Sequence, residues 1–468
     1  MCMSPHRVAS IPAEVPASVP GPVPAPVPIA PAIEGASVDP IDAVVLGWVD
    51  NAGITRVKTV PYSRLDAVAV HGVGFSPVFD VFLADDSITA GNLVGGPTGD
   101  LRLVPDLTAL RPLAAQPGWA WAPGDRYTQD GVPYAGCQRT FARRMAARAG
   151  LRGLSLRMGF EVEWVTGTED AAGRFLPAFH KAAYGMTRVV RVSAQLRELI
   201  RALAAQEVRV LQVHPEYAAG QLEVSVAPED PIGAADTTVL VRETIRAVAA
   251  RHGHAVSFAP CVVPGEVGNG AHLHFSPWRD GTNLCHGGEG PQGLTREGEA
   301  FLAGVLRELP ALLAIGAPGA ASHLRLVPAQ WAGVYRCWGL ENREAAMRLV
   351  TGMAGERQHT ANAELKCFDA TANPYLVVGT VIAAGLAGIE DGLRLPVEVP
   401  SDPSTAGDVP RLPGSPAAAL AALEASPVLR EALGETLFDA ITAVRRAEIT
   451  RSAGMTPNEI ATEARRLY

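Results

Sequence analysis

Four short segments in the last two-thirds of the chain alternate apolar residues with acids or histidines, and this pattern limits the fold more than any other feature. They are Glu161-Val162-Glu163 in GFEVEWV, Glu216 and Glu223 in HPEYAAGQLEV, His272-Leu273-His274 in GNGAHLHFS, and Glu364 in NAELKCFDATANPYL. Residues two apart in a strand share a face. Glu161 and Glu163 therefore present two carboxylates side by side, and His272 and His274 two imidazoles. Five carboxylates with one or two imidazoles suit hard divalent cations such as Mg²⁺ or Mn²⁺, not a cysteine-based zinc site. Such a donor set can neutralise phosphates during phosphoryl transfer.

The chain around these frames is that of a globular enzyme. It has 468 residues, 48% hydrophobic and 19% charged, with a formal charge of -8. That length suggests two or three domains, or a small domain beside a large one. The negative balance argues against nucleic acid as a partner, because such binders carry a basic face. The six cysteines, Cys2, Cys137, Cys261, Cys285, Cys337 and Cys367, include no C-x-x-C pair, which points to free thiols in a reduced, cytoplasmic setting. The longest apolar run, Tyr375 to Ile389, is too short for a membrane span and reads as a buried helix. Pro12, Pro16 and Pro20 interrupt any apolar core of a signal peptide.

Residues 1–41 hold ten of the 38 prolines and predict an extended, disordered tail. From Ile41 the pattern changes. DAVVLGWVD and ITRVKTVPY flank a turn at Asp50-Asn51-Ala52-Gly53 and predict a hairpin. Residues 42–128 read as a small β-rich domain and 129–468 as the catalytic domain. QRTFARRMAARAG (138–150) is an amphipathic helix stopped by Gly150. Further helices are expected at 194–206, 237–252, 295–313, 374–389 and 427–452, with Asn373 as N-cap and Pro374 at the first helical position. Strands are expected at 158–165, 208–214, 222–226, 255–263 and 272–276. This mixture predicts an α+β domain whose antiparallel sheet is lined with ligands and packed by helices. A Rossmann sheet would need strict βαβ alternation and a glycine fingerprint. Gly288-Glu289-Gly290-Pro291-Gln292-Gly293 matches only by letters, because no strand precedes it and Pro291 lies inside it. His252 and His254 close a helix, where a histidine has a structural reason to sit.

Taken together, the frames resemble the glutamine synthetase family. Its E-x-E, H-x-E…G-Q-x-E, G-x-G-x-H-x-H, R-L-x-P…N-R…R and E-x-R-x-x-D…N-P-Y-L motifs stand here in the same order. They fall at Glu161–Glu163, at His214-Pro215-Glu216 with Gly220-Gln221-Leu222-Glu223, at Gly268–His274, at Arg325–Pro328 with Asn342-Arg343 and Arg348, and at Glu364–Asp369 with Asn373–Leu376. Any one of these pairs alone could be an exposed strand face or a surface ion pair; five in order favour ligation. The resemblance implies a β-grasp-like N-terminal domain and a catalytic antiparallel sheet barrel. It also implies a dodecamer of two stacked rings with active sites shared between subunits. It implies a reaction in which ATP phosphorylates the γ-carboxylate of glutamate and an amine displaces the phosphate. By motif, Glu163, Glu216 and Glu223 would hold one of two cations, and Glu161, His272 and Glu364 the other. His274 and Ser276 would face the nucleotide, with Arg343 and Arg348 on the transferring phosphoryl. Arg325 would grip a substrate carboxylate, Gly268 and Lys366 would line the substrate site, and Asp50 would reach into a neighbouring subunit's amine site.

Departures from the family pattern bear on the substrate. Where the family carries G-[YF]-E-[AG]-P after R-L-x-P, this chain has Ala329-Gln330-Trp331-Ala332-Gly333. Trp331 occupies the place of the acid that takes a proton from ammonium, and it offers an apolar, π-rich surface instead. The Asn of N-G-S-G-M-H falls at Val267, the Arg of E-x-R becomes Lys366, and the Arg two residues before that Glu becomes Asn362. These changes favour an amine larger than ammonia, such as a polyamine, ethanolamine or an aromatic amine. An ordinary ammonia-using glutamine synthetase and a catalytically idle nucleotide-binding paralogue are the alternatives. The segment 397–415 has no Tyr, so control by tyrosine adenylylation is not expected.

Overall fold

The computed structural model describes residues 40–170, 174–180 and 182–468. The expected proline-rich tail therefore lies almost wholly outside the described residues. Residues 40–468 fall within one compact unit.

The predicted hairpin forms, with Ala43–Val49 antiparallel to Thr55–Pro61 and Val49 opposite Thr55. It edges a mixed sheet ordered Thr55–Pro61, Ala43–Val49, Trp119–Thr128, Leu101–Pro105, Val73–Phe75, whose central pair, Ala43–Val49 with Trp119–Thr128, is parallel. Val44, Leu46, Trp48, Phe75, Leu103 and Ala122 form its core.

Helix Gln138–Gly150 follows, with the bounds its pattern predicts. Its first residues lock it onto the preceding sheet. Gln138 Oε1 accepts from the buried guanidinium of Arg126, which is paired with the equally buried Asp80. Arg139 bridges Asp125 at 3.1 Å and Asp236 at 2.7 Å. Tyr375 donates to Asp236 at 2.6 Å, which ties in two further helices. Buried charges of this kind persist only when fully paired.

The second sheet carries the acidic frames. Its order is Tyr335–Leu340, Ala345–Val350, Asn362–Leu365, Leu273–Arg279, Leu154–Glu169, Gln221–Val226, Val210–Pro215, with three short strands attached at its flanks. The sheet is mixed rather than wholly antiparallel as expected, because Tyr335–Leu340 and Ala345–Val350 run parallel. Its two end strands do not pair with each other, so the described pairings leave it open instead of closing a barrel.

Behind it, helix Pro374–Glu390 is buried nearly all round, as its mostly apolar sequence requires, and Asn373 caps it through the backbone N–H groups of Tyr375 and Leu376. It crosses helix Arg296–Gly316 at Gly304 and Gly388, where an added Cβ would come within 2.2 Å of a facing carbonyl. No helix among the described residues is long and apolar enough to cross a membrane.

Several boundaries differ from expectation. The 427–452 helix breaks into Pro427–Leu433 and Glu435–Ser452 at Gly434, whose φ is 75°. The expected 255–263 strand keeps only Ala255–Ser257, since Pro260 has no N–H for a ladder. The helices expected from 194 and 237 start earlier, at Met186 and at Pro231, the latter capped by Asp230.

Candidate active site

Strand Leu154–Glu169 is the axis of the site. Register places Glu163 opposite Glu223 and Glu161 opposite Ser225 on one side. Beyond Glu223 stands His214. On the other side His274 faces Glu364, and Glu364 faces Arg348 across the next strand. Period-two alternation thus delivers the acids and imidazoles to one face, as the sequence predicts.

The inner group comprises Glu161, His272, His274 and Glu364. His272 Nδ1 lies 3.2 Å from Glu161 and 3.3 Å from Glu364. His274 Nε2 lies 3.4 Å from Glu161 and is buried without a hydrogen-bond partner. Glu364, 1% exposed, also meets Lys366 Nζ at 3.0 Å and Arg348 at 3.1 Å. Burial would raise Glu364, but the charges of Lys366, His274 and His272 bring it down to about 2. Burial likewise opposes the charge on His274, yet Glu161 carries it up to about 9. His272 is pushed below its ordinary value by burial and the Lys366 charge.

The outer group is Glu163, Glu216, Glu223 and His214. Gln221 Nε2 and the Gly270 N–H both donate to Glu163 Oε2, at 2.8 and 3.0 Å, which fixes the carboxylate and leaves Oε1 toward His272 at 3.6 Å. His214 reaches Glu223 at 3.3 Å and Glu216 at 3.5 Å, and Tyr184 donates to Glu216 at 2.7 Å. Burial raises Glu223 to about 7, aided by the carboxylates of Glu161, Glu163 and Glu216 against the hydrogen bond from His214. Hydrogen bonding to Glu223 in turn raises His214 to about 9.

This donor set fits divalent cations. Two sets of three have ligand atoms within 4.8 Å of one another: Glu161, His274 and Glu364, and His214, Glu216 and Glu223. These sets include His274 and His214, to which the motifs gave no ligand role; His272 stands in the inner group, 3.2 Å from Glu161 and 3.3 Å from Glu364, and Glu163 in the outer. Glu223 has a folded pKa above its unfolded one. Its contribution to metal-free stability is therefore present at low pH and lost as pH rises through about 7. A bound cation must displace that proton and relieves the repulsion once it has gone. The rise in melting temperature produced by Mg²⁺ or Mn²⁺ should accordingly grow at least about twofold between about pH 6 and about pH 8. Scanning fluorimetry at several pH values tests this, and a pH-independent shift would remove the role given to Glu223.

The remaining predicted residues divide. Arg325 is buried and enters the inner group, 3.1 Å from His272 Nε2 and 3.0 Å from the Lys366 carbonyl. Gly268 lies beside it, its carbonyl accepting from Gln221. Arg348 and Lys366 join through Glu364. Ser276 shares the strand face of His274, but its hydroxyl accepts from Trp278 Nε1 at 2.8 Å. Arg343 is exposed, with no hydrogen-bond partner among the described residues.

Asp50, expected to reach into a neighbouring subunit's amine site, lies at the turn between the first two strands. It is 1% exposed, accepts from the Ala52 and Ile54 N–H groups and meets Arg56 at 2.8 Å. Its Oδ1 thus closes its own turn, and its Oδ2 pairs with Arg56 on the next strand of the hairpin. Burial raises it to about 6 against the pull of Arg56.

Trp331 is 42% exposed with φ 54°, and its ring lies 5.2 Å from that of Tyr217 beside a cavity of about 520 Å³. Sequence reasoning gave no role to His214 or Tyr184. His214 lies two residues before Glu216 and carried a signal; Tyr184 is 32 residues from its partner and had none.

Residues 135–463 match the glutamine synthetase catalytic domain and residues 30–134 the glutamine synthetase N-terminal domain. The chain is 54% identical to gamma-glutamylpolyamine synthetase GlnA3 of Streptomyces coelicolor, covering 92% of this chain and 94% of that one. It is 30% identical to glutamine synthetase of Halobacterium salinarum, over 87% of this chain and 90% of the relative. Among solved structures, a glutamine synthase homologue superposes with a TM-score of 0.83 at 32% identity, covering 93% of this chain and all of that one. An ADP complex of GmaS gives 0.79 at 26% identity, covering 89% of this chain and 95% of that one. Fold, site and relatives define an ATP-dependent carbon–nitrogen ligase. The chain belongs to the glutamine synthetase family, and the amide it forms is a γ-glutamyl amide.

Proposed function

We propose that the acceptor is an aliphatic polyamine, joined to the γ-carboxyl of glutamate through a γ-glutamyl phosphate. The observation that carries this is the Tyr217–Trp331 ring pair at a cavity large enough for an extended amine. The 54% identity to a gamma-glutamylpolyamine synthetase supports it. Two divalent cations, Mg²⁺ or Mn²⁺, would be held by the two donor sets and would polarise the phosphoryl and acceptor oxygens. Arg325, with Gly268 and Lys366 beside it, binds the glutamate carboxylate. Arg348 and Arg343 meet the ATP phosphates, and His274 and Ser276 the nucleotide side of the cluster. Glu216, a member of the acid cluster, is next in the chain to Tyr217, which lines the cavity. An idle paralogue has no physical need for such a densely paired acidic cluster.

In the same reading the N-terminal sheet is β-grasp-like, and the domains run from about residue 42 to 128 and from 129 to 468 after the proline-rich tail. The chain works in the cytoplasm as a dodecamer of stacked rings.

A coupled ADP-release assay with glutamate across ammonium, ethanolamine, putrescine, spermidine and benzylamine tests the proposal. Polyamines should exceed ammonium at least about tenfold in kcat/KM, as expected when several methylenes are buried. Trp331→Glu should lower polyamine use relative to ammonium. Equal or better use of ammonium by the unaltered chain would overturn the assignment.

A further inference from the structure

The loop that carries Trp331 adopts a backbone that side-chain-bearing residues avoid. Ala329 has φ 62° and Trp331 has φ 54°, with Gly333 at 64° just beyond. Two non-glycine residues in the left-handed region within three positions need an outside restraint. The restraint is one side chain: Glu344 accepts from the Trp331 N–H at 2.8 Å and from the Ala329 N–H at 3.3 Å. So held, the Trp331 ring meets Tyr217 at 5.2 Å with a 58° tilt.

The backbone beneath Tyr217 is held as firmly. The buried guanidinium of Arg188 donates to the carbonyls of Tyr217 and Ala218 at 3.2 and 2.8 Å. Both rings and Glu266 line the cavity. Glu216 of the acid cluster is next to Tyr217 in the chain and accepts from the Tyr217 N–H at 3.1 Å.

We infer that Tyr217 determines acceptor length together with Trp331, and that Glu344 is the positioning residue that holds the Trp331 ring in place. This rests on the reading of the cavity as the amine site. The ring pair covers the methylene spacer of a diamine or polyamine whose reacting nitrogen lies toward Glu216. The distal ammonium then stays outside the acid cluster, against the π faces and the Glu266 carboxylate. A short monoamine reaches neither feature. The walls therefore reward length, whereas the acid cluster acts on the reacting end of any amine.

The test compares kcat/KM for spermidine with that for ethylamine in the full chain and in Tyr217→Ala, Tyr217→Phe, Glu344→Ala and Glu344→Gln. The spermidine-to-ethylamine ratio should fall at least about tenfold in Tyr217→Ala and Glu344→Ala, carried by KM for spermidine rather than by kcat. Tyr217→Phe, which keeps the ring, should restore most of the ratio. Glu344→Gln, which keeps one acceptor oxygen, should lie between and serves if Glu344→Ala fails to fold. A ratio within about twofold of the unaltered chain in both alanine variants would overturn the inference, as would an equal loss for both amines. Failure of the unaltered chain to use spermidine would instead refute the polyamine assignment itself.

Discussion

Glu364→Gln should reduce ADP release by about a thousandfold, the largest loss expected from any single substitution here. The carboxylate is 1% exposed and sits where four cationic or imidazole groups converge, with Lys366 and Arg348 at 3.0 and 3.1 Å and His272 at 3.3 Å. It also belongs to the donor set with Glu161 and His274. An amide of the same shape keeps one acceptor but loses the charge that holds Lys366, Arg348 and a cation in one place. A loss of about 4 kcal/mol of transition-state stabilisation corresponds to that thousandfold change. Leaving buried Lys366 without its counter-charge should cost folding stability as well, on the order of 3 kcal/mol. Steady-state rates and melting temperatures with and without Mg²⁺ measure both effects. Retention of a tenth of the activity would show that Glu364 only supports the site structurally.

Gly268→Ala should be nearly as damaging, for a steric reason. A Cβ on Gly268 would lie 1.9 Å from the Pro260 carbonyl. That carbonyl also accepts from the Asn269 N–H at 3.0 Å, so it cannot simply move away. The Gly268 carbonyl holds Gln221, and Gln221 orients Glu163 at 2.8 Å. Relief of the clash therefore displaces a cluster carboxylate. The expected cost is about 3 kcal/mol in stability and about a hundredfold in kcat/KM. A crystal structure of the variant should show the 260–270 segment displaced. Unchanged kcat/KM would mean that the segment absorbs the methyl without disturbing Glu163.

Much of this site was legible because its chemistry is written in local period. Glu161 with Glu163, and His272 with His274, share a face in any strand they occupy. Helix Gln138–Gly150 and the Asn373–Pro374 start of helix Pro374–Glu390 declared themselves through apolar spacing and capping chemistry. The parallel pair Tyr335–Leu340 and Ala345–Val350 did not, because so short a connection ordinarily signals a hairpin. Nor did the break at Gly434, where a single glycine in a helical pattern is ambiguous until its φ is known.

The amino-acid order alone settled which residue types would line a sheet face, and so the kind of cation and phosphate chemistry open to the chain. It did so because side-chain direction in a strand depends only on neighbours. Tertiary structure decided which of those residues meet. It set His214 beside Glu223 and brought Tyr184 to Glu216. It also brought the Tyr468 hydroxyl to the Ala52 carbonyl, 416 residues away, at the turn that local sequence predicts. Contacts at such separations follow from how whole elements pack, which no local pattern encodes.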